Sequence, residues 1–222
     1  MKNKVCIVVP FRNRESHLET FAPSIENFLK TNNVEGKLFV IEQSEGKPFN
    51  RAKLLNVGFD FVEKNYPNEF SHYAFHDVDM IPIESDYNYC EFPTHLAARA
   101  EQFGYRLPYE NYFGGVTIFD KLSFIKVNGY SNDYWGWGAE DDDMFRRCEV
   151  MDVKTMRKDG KYQSLSHERV ITEELYNKNV YLLRNMMDSF NGSIFTEGLS
   201  SLEYKLKNKT DCGSYFKILV EI

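Results

Sequence analysis

The chain has 222 residues, enough for one domain with a sizeable core. Hydrophobic residues make up 42% and charged residues 27%, a globular balance that argues against disorder. The net charge is −6 and no basic run occurs, which argues against a nucleic-acid partner and requires local cations or a metal for any anionic ligand.

Val5 to Val9 is a short continuous apolar run, as in a strand buried on both faces. It is too short for a signal-peptide core, and no segment reaches the roughly 20 apolar residues of a membrane span. A soluble protein is the expectation. Leu18, Phe21, Ile25, Phe28 and Leu29 then share one helical face, and Lys37 to Ile41 reads as a second strand. Asn50 is placed to cap a helix that turns Ala52, Leu55, Phe59 and Val62 inward. Tyr73 to Phe75 forms a third strand leading into Asp77-Val78-Asp79. This β-α-β-α-β order predicts an α/β fold with a parallel sheet and right-handed crossovers.

Further on, Tyr112 to Phe119 reads as a strand interrupted by Gly114-Gly115. Asp120 caps a short helix that Gly129 can end. Met144 to Val150 and Thr172 to Met187 are helical, and Leu202 to Leu206 with Tyr215 to Ile222 form a terminal hairpin. No repeat or linker appears, so residues 1–222 are expected to be a single domain. The four cysteines fit no zinc spacing and read as reduced structural thiols.

In parallel sheets ligands sit beyond the carboxyl ends of the strands. Three motifs fall there: Arg12 and Arg14 after the first strand, Arg51 and Lys53 after the second, Asp77 and Asp79 after the third. The cations suit a nucleoside diphosphate; alternatively they are surface charges paired with acids. Two carboxylates two residues apart on a strand share a face and suit Mg²⁺ or Mn²⁺; alternatively they cap a turn. Trp135 to Asp143, WGWGAEDDD, contains both tryptophans of the chain and four consecutive acids. Indole stacking with carboxylates that bind hydroxyls suits a sugar site with a general base; the alternative is an acid-rich helix start beside a core Trp. His17 reads as a helix-surface residue, His72 and His95 have no evident partner, His76 abuts the Asp pair, and His167 follows a late strand.

VVPFRNR, FNRAKLLNVGF, DVDMIP, LPYENYFGGV, NGYSNDYWGWGAEDDD and a later His, in this order over residues 4 to 206, resemble the catalytic domain of the beta-1,4-galactosyltransferase family. The resemblance implies a GT-A fold with a mixed, mostly parallel central sheet. A nucleotide-binding half (about 1–110) would precede an acceptor-binding half (about 111–222). The implied reaction is inverting, metal-dependent transfer of galactose from UDP-galactose to a sugar hydroxyl, such as that of a terminal GlcNAc, on a carbohydrate or glycolipid. Donor contacts would come from Pro10, Phe11, Arg12, Arg14, Phe49, Arg51, Asp77, Val78, Tyr112, Gly115, Trp137 and Glu140. Tyr109, Gly138, Asp141 and Asp142 would meet the acceptor, with Asp141 as base, and Asp79 and His167 would hold Mn²⁺. Tyr112 would restrict the donor to galactose; the competing readings are a UDP-GalNAc transferase and a non-catalytic sugar-binding module.

The chain departs from this pattern at three places. Ser164 stands where animal members have a Met ligand, which opens the site to Mg²⁺. His72 stands at the partner position of Cys90, so the family disulfide cannot form. No anchor or stem is seen. The last two would fit either a cytoplasmic enzyme, compatible with an acceptor on a membrane surface, or a catalytic domain taken from a longer chain.

Overall fold

The computed structural model describes residues 3–167, 171–188 and 193–222. In chain order the strands and α-helices are β1 (Lys4–Phe11), α1 (Glu15–Thr31), β2 (Glu35–Gln43), α2 (Arg51–Asn65), β3 (His72–His76), β4 (Met80–Glu84), β5 (Thr94–His95), β6 (Arg99–Ala100), β7 (Val116–Asp120), α3 (Lys121–Lys126), α4 (Glu140–Val150), β8 (Met156–Arg157), β9 (Lys161–Ser164), α5 (Glu173–Asp188), α6 (Ser193–Thr196), β10 (Lys205–Asp211) and β11 (Tyr215–Glu221). Among the described residues the main sheet runs β10-β11-β2-β1-β3-β7-β5-β8, and a small one runs β4-β9-β6. β2 and β3 flank β1 in parallel, as the βαβ order requires. The sheet is mixed because β7 lies antiparallel to β3 and β10 antiparallel to β11.

The central strands are buried on both faces, which is why they are apolar throughout. Along β1, Cys6 and Val8 enter one core with Phe39, Leu55 and Phe75. Val5, Ile7, Val9 and Phe11 enter the other, with Phe21 and Ile25 of α1. α2 starts where expected: the buried Asn50 accepts the Lys53 N–H at 2.8 Å. Asp120 likewise accepts the amides of Leu122 and Ser123 at 2.9 and 3.0 Å.

Three expectations are corrected. The strand expected at Tyr112 to Phe119 begins only at Val116, because Gly115 (φ +79°) turns the chain first. α3, by contrast, ends as expected: Asn128 (φ 59°) and Gly129 (φ 65°) turn left-handed and the Gly129 N–H returns to Phe124 O. The terminal hairpin pairs Lys205–Asp211, not Leu202 to Leu206, with β11; β11 also joins the main sheet parallel to β2. The Asp77–Asp79 pair lies past the end of β3, in a turn closed by the Met80 N–H on Asp77 O. Strand alternation therefore does not place these carboxylates.

The direction of β7 matters for the site. Val116 pairs with His76, so Gly114 and Gly115 enter β7 beside the residue where β3 ends. The Tyr109–Gly115 segment is thereby brought to the carboxyl edge of the parallel strands.

Candidate active site

Arg51, the first residue of α2, ties the two halves of the site together. Asn50 holds this helix start: its side chain donates to Asn132 O (2.8 Å) and its backbone N–H to Gln43 Oε1 (2.9 Å). Arg51 Nε donates to Asp77 Oδ1 at 2.6 Å, and Nη1 donates to Asp141 Oδ1 at 2.8 Å, with Glu140 Oε1 at 3.6 Å. Burial opposes the Arg51 charge, but Asp141, Asp77 and Glu140 outweigh it and hold the guanidinium protonated. Burial pushes the Asp77 carboxyl up to about 6 against the pull of Arg51. Asp141 is also raised well above the ordinary carboxylate range, by burial and by the neighbouring Glu140 and Asp77. A carboxyl raised in this way holds its proton more readily than one in open solvent.

Asp79 faces away from this knot towards the second half of the chain. Its Oδ2 lies 3.2 Å from His167 Nδ1, and its carbonyl accepts the Leu165 N–H at 2.8 Å. The hydrogen bond to Asp79 is the main cause of a raised His167 pKa; Arg14, at the start of α1, is near enough to oppose it. An imidazole nitrogen and a carboxylate oxygen this close form a donor pair that one divalent ion could bridge. Among the described residues no third His, Cys, Asp or Glu completes the group.

The four acids of α4 part company. Glu140 and Asp141 meet Arg51, Asp142 accepts the Tyr109 hydroxyl at 2.7 Å, and Asp143 is buried against Arg147 Nε at 2.6 Å. Only Asp143 serves the core. The tryptophans divide too. Trp135 packs partly buried against the core, whereas Trp137 is 44% exposed and stacks on Tyr176 of α5 (5.9 Å, 22°). Gly136, Gly138 and Ala139 all have positive φ, so this turn is tightly shaped; a Cβ on Gly138 would sit 3.5 Å from the Tyr176 ring. The Asn179 side chain donates to the carbonyl oxygens of Trp135 (3.1 Å) and Trp137 (3.4 Å).

Tyr112 stands edge-on to Tyr109, Phe103 and His95, each with centroids 5.4 Å away. At the outer end, Arg12 donates to Lys47 O (2.7 Å) and lies over the Phe49 ring, while Phe49 O accepts the Gly136 N–H (2.7 Å). Pro10 is buried at the end of β1. Phe11 and Val78 pack in the core beneath, so neither side chain offers a free face. Asp77 and Asp79 do not share one partner: the first belongs to Arg51 and the second to His167.

Three contributors escape a sequence reading. A Cβ on Gly114 would come within 2.5 Å of Asp141 Oδ2 and 2.6 Å of the Tyr112 hydroxyl, so only glycine leaves room for both. His95, buried and with its pKa down to about 4 through burial, donates from Nε2 to Gly114 O at 2.9 Å. His17 is half-buried beside His167 rather than on an open helix surface. The one available signal was its spacing of three from Arg14, which sets both on one side of α1.

Residues 1–91 match the family model described as the N-terminal region of glycosyl transferase group 7, and residues 94–169 the one described as the N-terminal domain of galactosyltransferase. Human beta-1,4-galactosyltransferase 4 is 42% identical over 98% of this chain. The chain belongs to the beta-1,4-galactosyltransferase family. It spans 63% of the length of that human relative, and 54% of bovine beta-1,4-galactosyltransferase 1, to which it is 35% identical over 99% of its own length. The fold is GT-A, with a mixed, mostly parallel central sheet. A mutant Drosophila beta-1,4-galactosyltransferase 7, solved in complex with manganese, UDP-Gal and xylobiose, superimposes with a TM-score of 0.83 at 28% identity, covering 99% of this chain and 94% of that one.

Proposed function

We propose that the protein transfers galactose, with inversion, from UDP-galactose to a hydroxyl of an acceptor sugar, a terminal GlcNAc or similar, in β-1,4 linkage. The observation that carries this reading is the Arg51 bridge. One guanidinium holds Asp77, at the nucleotide edge of the sheet, and Asp141, among the acids suited to sugar hydroxyls.

In this reading Arg12, Arg14 and Phe49 receive the uridine diphosphate, and Trp137 with Tyr176 borders the sugars. The Tyr109–Asp142 pair orients the acceptor. Asp141 takes the proton of the acceptor hydroxyl as its oxygen bonds to C1 of galactose, while the C1–O bond to UDP breaks and UDP leaves. Arg51 keeps a positive charge beside the reacting atoms. Asp79 and His167 would hold a divalent ion, which when bound neutralises the charge of the diphosphate. Ser164, three residues before His167, has a hard oxygen where animal relatives have a thioether, so Mg²⁺ should support activity as well as Mn²⁺. Its Oγ accepts the Gln102 N–H at 3.2 Å and lies 3.8 Å from the Met80 sulfur. Tyr112, its hydroxyl packed against the Gly114 backbone near Asp141, would limit the donor to galactose. The unpaired thiols of Cys6, Cys90, Cys148 and Cys212 are in keeping with a reducing compartment.

The test is a UDP-release screen over several UDP-sugars, each with and without GlcNAc and related acceptors, in Mn²⁺, Mg²⁺ or EDTA. Acceptor-dependent release from UDP-galactose, abolished by EDTA, is expected. Faster release from UDP-GalNAc, or none from UDP-galactose with any acceptor, would overturn the reading.

A further inference from the structure

We propose that His17 is a positioning residue that sets the orientation of His167 through the backbone of Ser166. The inference rests on reading Asp79 and His167 as the metal pair. His17 lies on α1, 149 positions from Ser166 in sequence, yet its Nε2 is 3.3 Å from the Ser166 carbonyl oxygen. A carbonyl only accepts, so Nε2 carries the proton and donates. The His17 and His167 rings meet edge to face, with centroids 5.9 Å apart and planes at 77°.

The other ring nitrogen of His17 differs from those of His72 and His76. Nδ1 is buried and has no hydrogen-bond partner among the described residues. His72 uses both nitrogens, accepting from Ser71 Oγ (2.8 Å) and donating to Tyr87 O (2.7 Å). His76 also uses both nitrogens, Nδ1 donating to Asp77 O (2.8 Å) and Nε2 accepting from Tyr87 Oη (2.7 Å). Among the described residues His17 makes a single hydrogen bond, and makes it to the residue next to His167.

The segment before His167 is thus held from two sides. The Leu165 N–H donates to Asp79 O at 2.8 Å, and Ser166 O accepts from His17. With Leu165 and Ser166 pinned to Asp79 and α1, the His167 ring meets Asp79 Oδ2 with Nδ1 at 3.2 Å. Partners that orient a ligating imidazole typically change metal affinity about 10- to 100-fold when removed.

The experiment measures Mn²⁺ binding to the full chain in the presence of UDP, by calorimetry and by the paramagnetic resonance signal of free Mn²⁺. It compares wild type, His17→Ala, His17→Gln and Asp79→Ala, with Tm recorded in EDTA for each. We expect His17→Ala to raise the Mn²⁺ Kd by roughly tenfold or more with an unchanged metal-free Tm. Because its amide can donate to the same carbonyl, His17→Gln should recover part of the affinity. A wild-type Kd in His17→Ala overturns the proposal, as does an equal loss in both variants with a lowered metal-free Tm, the mark of a merely structural role. A wild-type protein that binds no Mn²⁺, or an Asp79→Ala variant that binds it normally, overturns the metal-pair reading and this inference with it.

Discussion

Replacing Arg51 by Met removes the one cation shared by Asp77, Asp141 and Glu140 and keeps most of the side-chain volume. Breaking a buried ion pair from one side typically costs about 3–5 kcal/mol. Asp77 and Asp141 retain 27% and 20% of their side-chain exposure, so the lower bound, about 3 kcal/mol, is the appropriate figure. For a domain of this size that corresponds to a fall in Tm of about 6–12 °C. The sign of the pH dependence follows from the carboxyls. Burial already holds Asp77 and Asp141 above their ordinary values, and losing Arg51 raises both further. A group with a raised folded pKa favours the fold when protonated, so the deficit shrinks as pH falls through that pKa and is greatest above it. Urea unfolding of metal-free protein at pH 8 and pH 5 should give a deficit of about 3 kcal/mol and under about 1 kcal/mol respectively. A loss that is the same at both pH values, or under about 1 kcal/mol at pH 8, would refute the view that these acids lean on one guanidinium.

Asp79→Ala should abolish metal-dependent UDP binding in calorimetric titrations; a normal UDP isotherm with Mn²⁺ would contradict the placement of the metal. Tyr112→Leu should raise turnover of UDP-GalNAc relative to UDP-galactose by at least about tenfold, measured as UDP release from each donor; an unchanged ratio would remove Tyr112 from donor selection. Burial holds His76 and His95 down to about 4, so NMR titration of their ring protons should show midpoints there and no change near 6.5. Because the unfolded chain takes up these protons first, each imidazole contributes stability that is present above pH 6.5 and lost as pH falls towards 4.

The parts of the fold most legible in sequence are those whose side chains carry the signal. β1, β2 and β3 are apolar because both faces are buried, and Asn50 announces α2 because an exposed amide donor needs an acceptor. Strand direction and neighbourhood carry no such mark. Nothing in VTIFD says that it runs against β3, and nothing in the tail says that β11 adds to β2. β10, KLKNKTD, is exposed along its length, so no alternation marks its limits. The donor and acceptor motifs could be read singly, but the Arg51 bridge joins residues 26 and 90 positions apart and exists only in the folded chain. His17 looked like a surface residue because the segment that covers it lies in the other half of the sequence.

The central claim is that Asp141 acts as base on a sugar hydroxyl beside a separately held nucleotide. Asp141→Asn tests it most directly, since the amide oxygen can still accept from Arg51 while the group can no longer take a proton. UDP and Mn²⁺ binding should stay within about twofold of wild type while turnover with UDP-galactose and acceptor falls about 10²- to 10⁴-fold. Turnover within about tenfold of wild type, or nucleotide binding lost in step with turnover, would contradict the account.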